Sequence, residues 1–222
     1  MALFMDPLDI FLMILGATLL STAYTVWLTT RPTKEEDPPA EQITAARSEV
    51  TARRGTVECP ATIKTLSFYY MGIGIFALAT GVWGLVTWPL PSSYNLILMD
   101  PWPLFGTAAL IVGLALYFTG SLTTVSIPLA FLGIIPIVYG VDIIKFNLTN
   151  EPSLAAALYI LTGLAPLLSP LVYMANGRSV SKYMSYVVMV ILILAGLIAY
   201  IIGVGAVFEH TAAWAKWTPW YG

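Results

Sequence analysis

The chain has 222 residues, 58% of them hydrophobic and 10% charged, with a mean hydropathy of +0.82 and a formal net charge of -2. This composition lies far outside the soluble range and describes a polytopic membrane protein, while the small net charge argues against a nucleic-acid partner. A single cysteine, Cys59, excludes an internal disulfide, and a single histidine, His210, excludes a histidine-rich metal site or a bis-histidine haem site within one chain.

The opening MALFMDPLDIFLMILG has no basic n-region and runs into an apolar segment without a small-residue cleavage site, so it is expected to persist as a mature helix. That first span is predicted over Leu8 to Thr30, about the 20 residues needed to cross a bilayer. Asp6-Pro7 suits its N-terminus, because the carboxylate can accept from free N–H groups and proline at the first helical position needs no N–H partner. Residues 31 to 65 form the one long polar segment, with an acidic, proline-bearing half followed by EQITAARSEVTARR, which has the composition of a short surface helix. Docking of a soluble partner, or of anionic lipid on Arg53 and Arg54, is the functional alternative to a plain linker.

Five further spans are predicted at 66–88, 103–122, 124–145, 153–174 and 183–208, with the break between the third and fourth at Gly120 to Thr124. The expected fold is therefore an all-α, six-helix membrane bundle, followed by an aromatic tail from residue 209. Lysine and arginine set the orientation. Arg31, Lys34, Arg47, Arg53, Arg54, Lys64, Arg178 and Lys182 fall on one side and Lys145 and Lys216 on the other, which places both termini outside the cytoplasm. The expected location is the cell membrane.

The stretch from Trp88 to Gly106, WPLPSSYNLILMDPWPLFG, is read as the longest outer loop, folded over the outer face. Each helix entering from that side starts with an acid-Pro pair, Asp6-Pro7, Asp100-Pro101 or Glu151-Pro152, read as capping carboxylates at the positive end of a helix dipole. The outer rim also carries Asp9, Asp142, Lys145, Glu209 and His210. Asp142 and Lys145, three residues apart on one face near the outer end of the fourth span, can form an ion pair at the interface. Asp100, Asp142, Lys145, Glu151, Glu209 and His210 make up the candidate outer-face cluster, although no spacing among them diagnoses a metal.

Gly106, Gly113 and Gly120 recur every seven residues, as do Gly196 and Gly203, giving smooth stripes for close helix packing within the chain or against another subunit. Pro128, Pro136, Pro166 and Pro170 interrupt the fourth and fifth spans. They read either as packing kinks or as sources of freed carbonyls along a polar path, for which Thr162, Ser169 or Tyr139 would supply the remaining polar groups. No ionisable residue falls near the middle of a span, which argues against a proton pump or ion-coupled carrier. Trp214, Trp217 and Trp220 in the tail form an interfacial anchor, with a quinone or partner surface beside His210 as the sharper alternative. Asn147-Leu148-Thr149 fits the N-glycosylation pattern. No nucleotide-binding, nucleophile-elbow or zinc motif is present, so neither an enzyme nor a cofactor is expected.

WPLPSSYNL, DPWPLFG, IVYGVDIIKFNLTNEPSLAA and HTAAWAKWTP together resemble the archaeal and bacterial membrane proteins catalogued as domain of unknown function 981. The resemblance covers most of the chain beyond the first loop, implies a multi-span architecture and supplies no catalytic residue. FYYMGIGIFALATGVWGL is more faintly similar to helices of amide and urea channels. The functional expectations are an accessory or scaffold subunit meeting lipid and other membrane subunits or its own copies, a passive channel for a small neutral solute, or an outer-face redox, quinone or metal-binding subunit.

Overall fold

The computed structural model describes residues 8–31, 61–90, 93–175 and 178–215. Residues 32–60 of the polar segment, the Asp6-Pro7 pair, and the side chains of Trp214, Trp217 and Trp220 lie outside that description. Every regular element among the described residues is a helix: α1 (Leu8–Thr30), α2 (Ala61–Thr87), α3 (Ser93–Met99), α4 (Pro101–Thr119), α5 (Ser126–Phe146), α6 (Pro152–Leu167), α7 (Ser169–Tyr173) and α8 (Arg178–Trp214). Taking α3 with α4, and α6 with α7, six runs are long and apolar enough to cross a membrane. The chain is thus a multi-pass membrane helical bundle, built from helices because lipid offers backbone N–H and C=O groups no partners of its own.

Such spans carry apolar residues all round, so hydrophobicity cannot select which face turns inward; small residues do. The helices associate in pairs, α1 with α8, α2 with α4 and α5 with α6. A glycine crossing sets each pair. A Cβ on Gly74 would lie 2.7 Å from the Leu110 backbone nitrogen and 2.9 Å from the Gly106 oxygen, and one on Gly113 would lie 2.9 Å from the Ser67 oxygen. On the α1–α8 pair, Gly196 faces Gly16 and Leu20, while Gly203 admits the backbone of Asp9. Gly133 and Gly163 meet backbone to backbone in the third. The stripes read from the sequence are therefore filled by this chain's own helices.

Gly120 departs from that pattern. It terminates α4 in the left-handed region at φ 66°, its N–H donating to the Leu116 carbonyl, and so works as a C-cap instead of a packing face. Asn147 closes α5 in the same way at φ 50°. The asparagine of the glycosylation pattern therefore has a local structural reason for its identity.

Between the pairs runs a seam of hydroxyls. Thr18 shares a hydrogen bond with Tyr69 (3.0 Å), Thr25 with Tyr70 (2.8 Å) and Thr29 with Tyr173 (3.0 Å), tying α1 to α2 and to α7. Tyr70 also donates to Thr22 at 3.2 Å.

The Trp88–Gly106 stretch is not the long loop expected of it. Its prolines and serines read as irregular, yet α3 occupies Ser93–Met99 with Asn95, Ile97 and Met99 fully buried. Tertiary contacts fix it: the Met99 sulfur fills the notch left by Gly84, Ser93 donates to the Leu148 carbonyl (3.0 Å), and Leu90 N–H donates to Asn95 Oδ1 (3.2 Å). Because α3 runs straight into α4, Asp100 itself has helical dihedrals and makes no side-chain cap. Glu151 makes none either, although both prolines occupy the first turn as expected. Pro128 and Pro170 likewise fall in first turns, which leaves Pro136 and Pro166 as the prolines inside helices.

Candidate functional site

A cavity of about 130 Å³ lies between the helix pairs. Its wall comes from Phe11, Leu12 and Leu15 on α1, from Leu98 on α3, from the first two turns of α4, from Leu129 to Pro136 on α5 and from Leu158 to Pro166 on α6. At 1.5 Å per residue, those last two segments extend about 10–12 Å along the bundle. The cavity lies where the α2–α4 pair meets α5 and α6 only sparsely, whereas α6 and α7 pack on α1 and α8 through a shared apolar core. In particular, α4 and α5 follow each other in sequence but pack on other partners and approach one another only sparsely.

Aromatic rings define one wall. Trp102 stacks on Phe11 at 4.5 Å between centroids and on Phe105 at 4.9 Å, and Phe11 meets Phe76 edge-on at 6.0 Å. The indole N–H donates to Thr80 Oγ1 at 2.9 Å, which fixes the ring against α2. Both Trp102 and Phe11 are buried. Sequence reading missed Trp102, whose i, i+3 spacing to Phe105 and position on the entering turn of α4 are the signals available in retrospect.

The lining from α5 and α6 holds the two in-helix prolines. A proline has no N–H to donate to the carbonyl four residues back, so Pro136 frees the Leu132 carbonyl and Pro166 frees that of Thr162. Leu132, Pro136, Thr162 and Pro166 all line the cavity. The Thr162 hydroxyl is buried and has no hydrogen-bond partner among the described residues, a cost of about 1–3 kcal/mol for an orphaned polar group. Its situation is unusual for this chain, where helical threonines such as Thr22, Thr25, Thr80 and Thr107 donate to the carbonyl four residues back. Asn95 Nδ2 and Thr149 Oγ1 are also buried and unpartnered, but neither residue lines the cavity.

Of the polar groups suggested for a path through the fourth and fifth spans, Thr162 alone reaches the cavity. Ser169 donates to the Ser126 carbonyl (3.0 Å), and the Tyr139 hydroxyl donates to Asp100 Oδ2 (3.3 Å). Tyr159 lines the cavity, but its hydroxyl is committed to the Ile97 carbonyl. The Asp100–Tyr139 and Tyr159–Ile97 bonds tie α3 and the start of α4 to α5 and α6, bracing the acid-Pro end of the cavity.

The outer-face cluster is not brought together as one site. His210 Nδ1 lies 3.0 Å from both carboxylate oxygens of Asp9, a buried residue, because α8 runs antiparallel to α1 and Gly203 lets the chains approach there. Asp100 is engaged with Tyr139. The Lys145 ammonium sits 5.0 Å from the centroid of the Phe146 ring, and the ion pair with Asp142 that the spacing allows is not made. Glu151 and Glu209 are exposed. Among the described residues no three His, Cys, Asp or Glu side chains converge.

No curated protein and no solved structure matches the chain. Residues 1–213 match the family described as protein of unknown function (DUF981), and the chain belongs to that family.

Proposed function

We propose that this protein is a non-catalytic membrane protein that binds a lipophilic molecule within its helical bundle. The observation that carries this reading is the cavity wall: stacked Phe11, Trp102 and Phe105 together with Leu132, Pro136 and Leu158, a lining that is almost wholly apolar. A wall of that composition favours an apolar guest and disfavours a small polar solute, which would lose its hydration with little hydrogen bonding in return. The volume is close to that of engineered apolar cavities that admit benzene.

This reading also answers the other expectations. The glycine faces that motivated a scaffold are occupied internally, so a complex with other membrane subunits needs a different surface. A passive water or urea channel needs hydroxyls along its path, and those of Ser169 and Tyr139 are engaged elsewhere. The distribution of lysine and arginine supports a location in the cell membrane with the acid-Pro end outside.

The test is native mass spectrometry after purification in mild detergent. Wild type is expected to retain an organic-extractable adduct that survives detergent removal, and Ala108→Phe, which fills the cavity from α4, to lose it while staying folded. A wild-type protein that flies bare after reconstitution with total membrane lipid would overturn the proposal.

A further inference from the structure

Resting on that reading, we infer that the guest is the terminal segment of a bilayer lipid's acyl chain, which enters sideways between α4 and α5. Four long helices ring the cavity, and three of their four seams are closed. Phe11 on α1 and Trp102 on α4 belong to one apolar core, Leu12 on α1 and Leu158 on α6 to another, and α5 meets α6 backbone to backbone at Gly133 and Gly163. The seam between α4 and α5 is closed only at its ends. Towards the outer end, Ile97 on α3 packs with Ile143 on α5 and Ala156 on α6, and Tyr139 donates to Asp100 just before α4. Towards the inner end, Leu116 on α4 and Leu129 on α5 share a core with Leu122 from the connection between them. Between these two bars lies the cavity, with Leu104, Phe105 and Ala108 on the α4 edge and Leu132 and Pro136 on the α5 edge. A guest therefore reaches it from the side of the bundle that lipid covers.

Depth and lining define the chemistry. Leu129–Pro136 lies within the 21 residues of α5, and Leu158–Pro166 within the 22-residue run from Pro152 to Tyr173, so the cavity sits in the hydrocarbon layer. The abundant apolar material at that depth is the ends of lipid chains. Trp102 is already stacked on Phe11 and on Phe105, so the indole is taken up within the wall and offers a planar guest no free face. Most of the remaining lining is leucine and proline, which suits a flexible aliphatic chain. A volume close to that which admits benzene holds about six carbons, so the end of a chain fits while its headgroup stays at the interface.

The experiment uses the full chain in proteoliposomes with three diazirine probes, and labelled residues are identified by tandem mass spectrometry. One probe is a phosphatidylcholine with the diazirine at the end of an acyl chain, the second is the same lipid with it beside the carboxyl group, and the third is a free short hydrocarbon. Labelling of Leu15 on α1 and Leu158 on α6, walls away from the window, is scored against Phe131, which is exposed on the same turns of α5 that line the cavity. The end-labelled lipid is expected to mark both far-wall leucines, and the carboxyl-side probe to leave them unmarked. Ala108→Phe is expected to lose the far-wall labelling while Phe131 is labelled as in wild type. Far-wall labelling by the free hydrocarbon without any by the end-labelled lipid would overturn the acyl-chain assignment and leave the binding cavity standing. Equal far-wall labelling by the two lipid probes would overturn the assignment to a chain end. Labelling confined to lipid-facing residues with all three probes would overturn the cavity reading itself.

Discussion

Trp102 shows how one residue can organise a site in an apolar bundle. Its ring supplies the stacked wall between Phe11 and Phe105, and its N–H, a group that cannot be left bare in lipid, is matched by Thr80 on the neighbouring helix. Thr80→Val should orphan that donor and lower stability by ~1–3 kcal/mol. Trp102→Ala should cost more, ~3–5 kcal/mol, by removing a large buried ring. Denaturant unfolding in detergent micelles checks both, and a smaller loss for Trp102→Ala than for Thr80→Val would mean that the stack contributes little. At this scale the sequence was only partly legible. Thr162 could be singled out as a polar residue beside prolines, but Ser169 and Tyr139 are distinguished from it only by their partners, the Ser126 carbonyl at the start of α5 and the Asp100 carboxylate just before α4. Asp142 and Lys145 illustrate the same limit: helical spacing permits a pair, and the exposed lysine takes the Phe146 ring instead.

At the scale of elements, the spans were legible because length and composition suffice to define a crossing, and the Gly120 break was legible because a left-handed cap favours glycine. Helix α3 was not. Seven residues flanked by prolines and carrying Ser93 and Asn95 give no helical signature of their own, and α3 is held by Gly84 on α2, Leu148 in the loop after α5 and the Tyr159 hydroxyl on α6. Glycine periodicity marked the packing faces but could not name their partners. Two glycines two residues apart on α2 make the distinction testable. Gly74→Ala drives a methyl into the α4 backbone and should destabilise by ~1–3 kcal/mol, since neither backbone can retreat. Gly72→Ala meets nothing within 4 Å and should be neutral or stabilising by ~0.5–1 kcal/mol through the better helix propensity of alanine. Thermal unfolding in micelles reads both signs, and equal destabilisation by the two variants would contradict the pairing of α2 with α4.

At the scale of the whole molecule, the bundle is an assembly of glycine-crossed pairs, two of which share one apolar core while the α2–α4 pair meets α5 and α6 sparsely. Glycine crossings set each pair, a shared apolar core joins α1 and α8 to α6 and α7, the Thr–Tyr seam and the Asp100–Tyr139 bond add polar ties, and the apolar cavity is the space left beside α4. No part of that interior follows from composition, because it depends on which helices are partners and which merely follow each other in the chain. The division of labour implies that filling the cavity leaves the pairs intact, whereas breaking a pair removes the cavity.

The most direct measurement of the central claim is a crystal structure of the full chain grown from a lipidic mesophase and compared with that of Ala108→Phe. Continuous non-protein density bounded by Trp102, Leu132 and Thr162 in wild type, absent from the variant on an unchanged backbone, is the predicted result. A wild-type cavity closed by side chains, with the Thr162 hydroxyl bonded to the carbonyl of Leu158 like the other helical threonines, would contradict it.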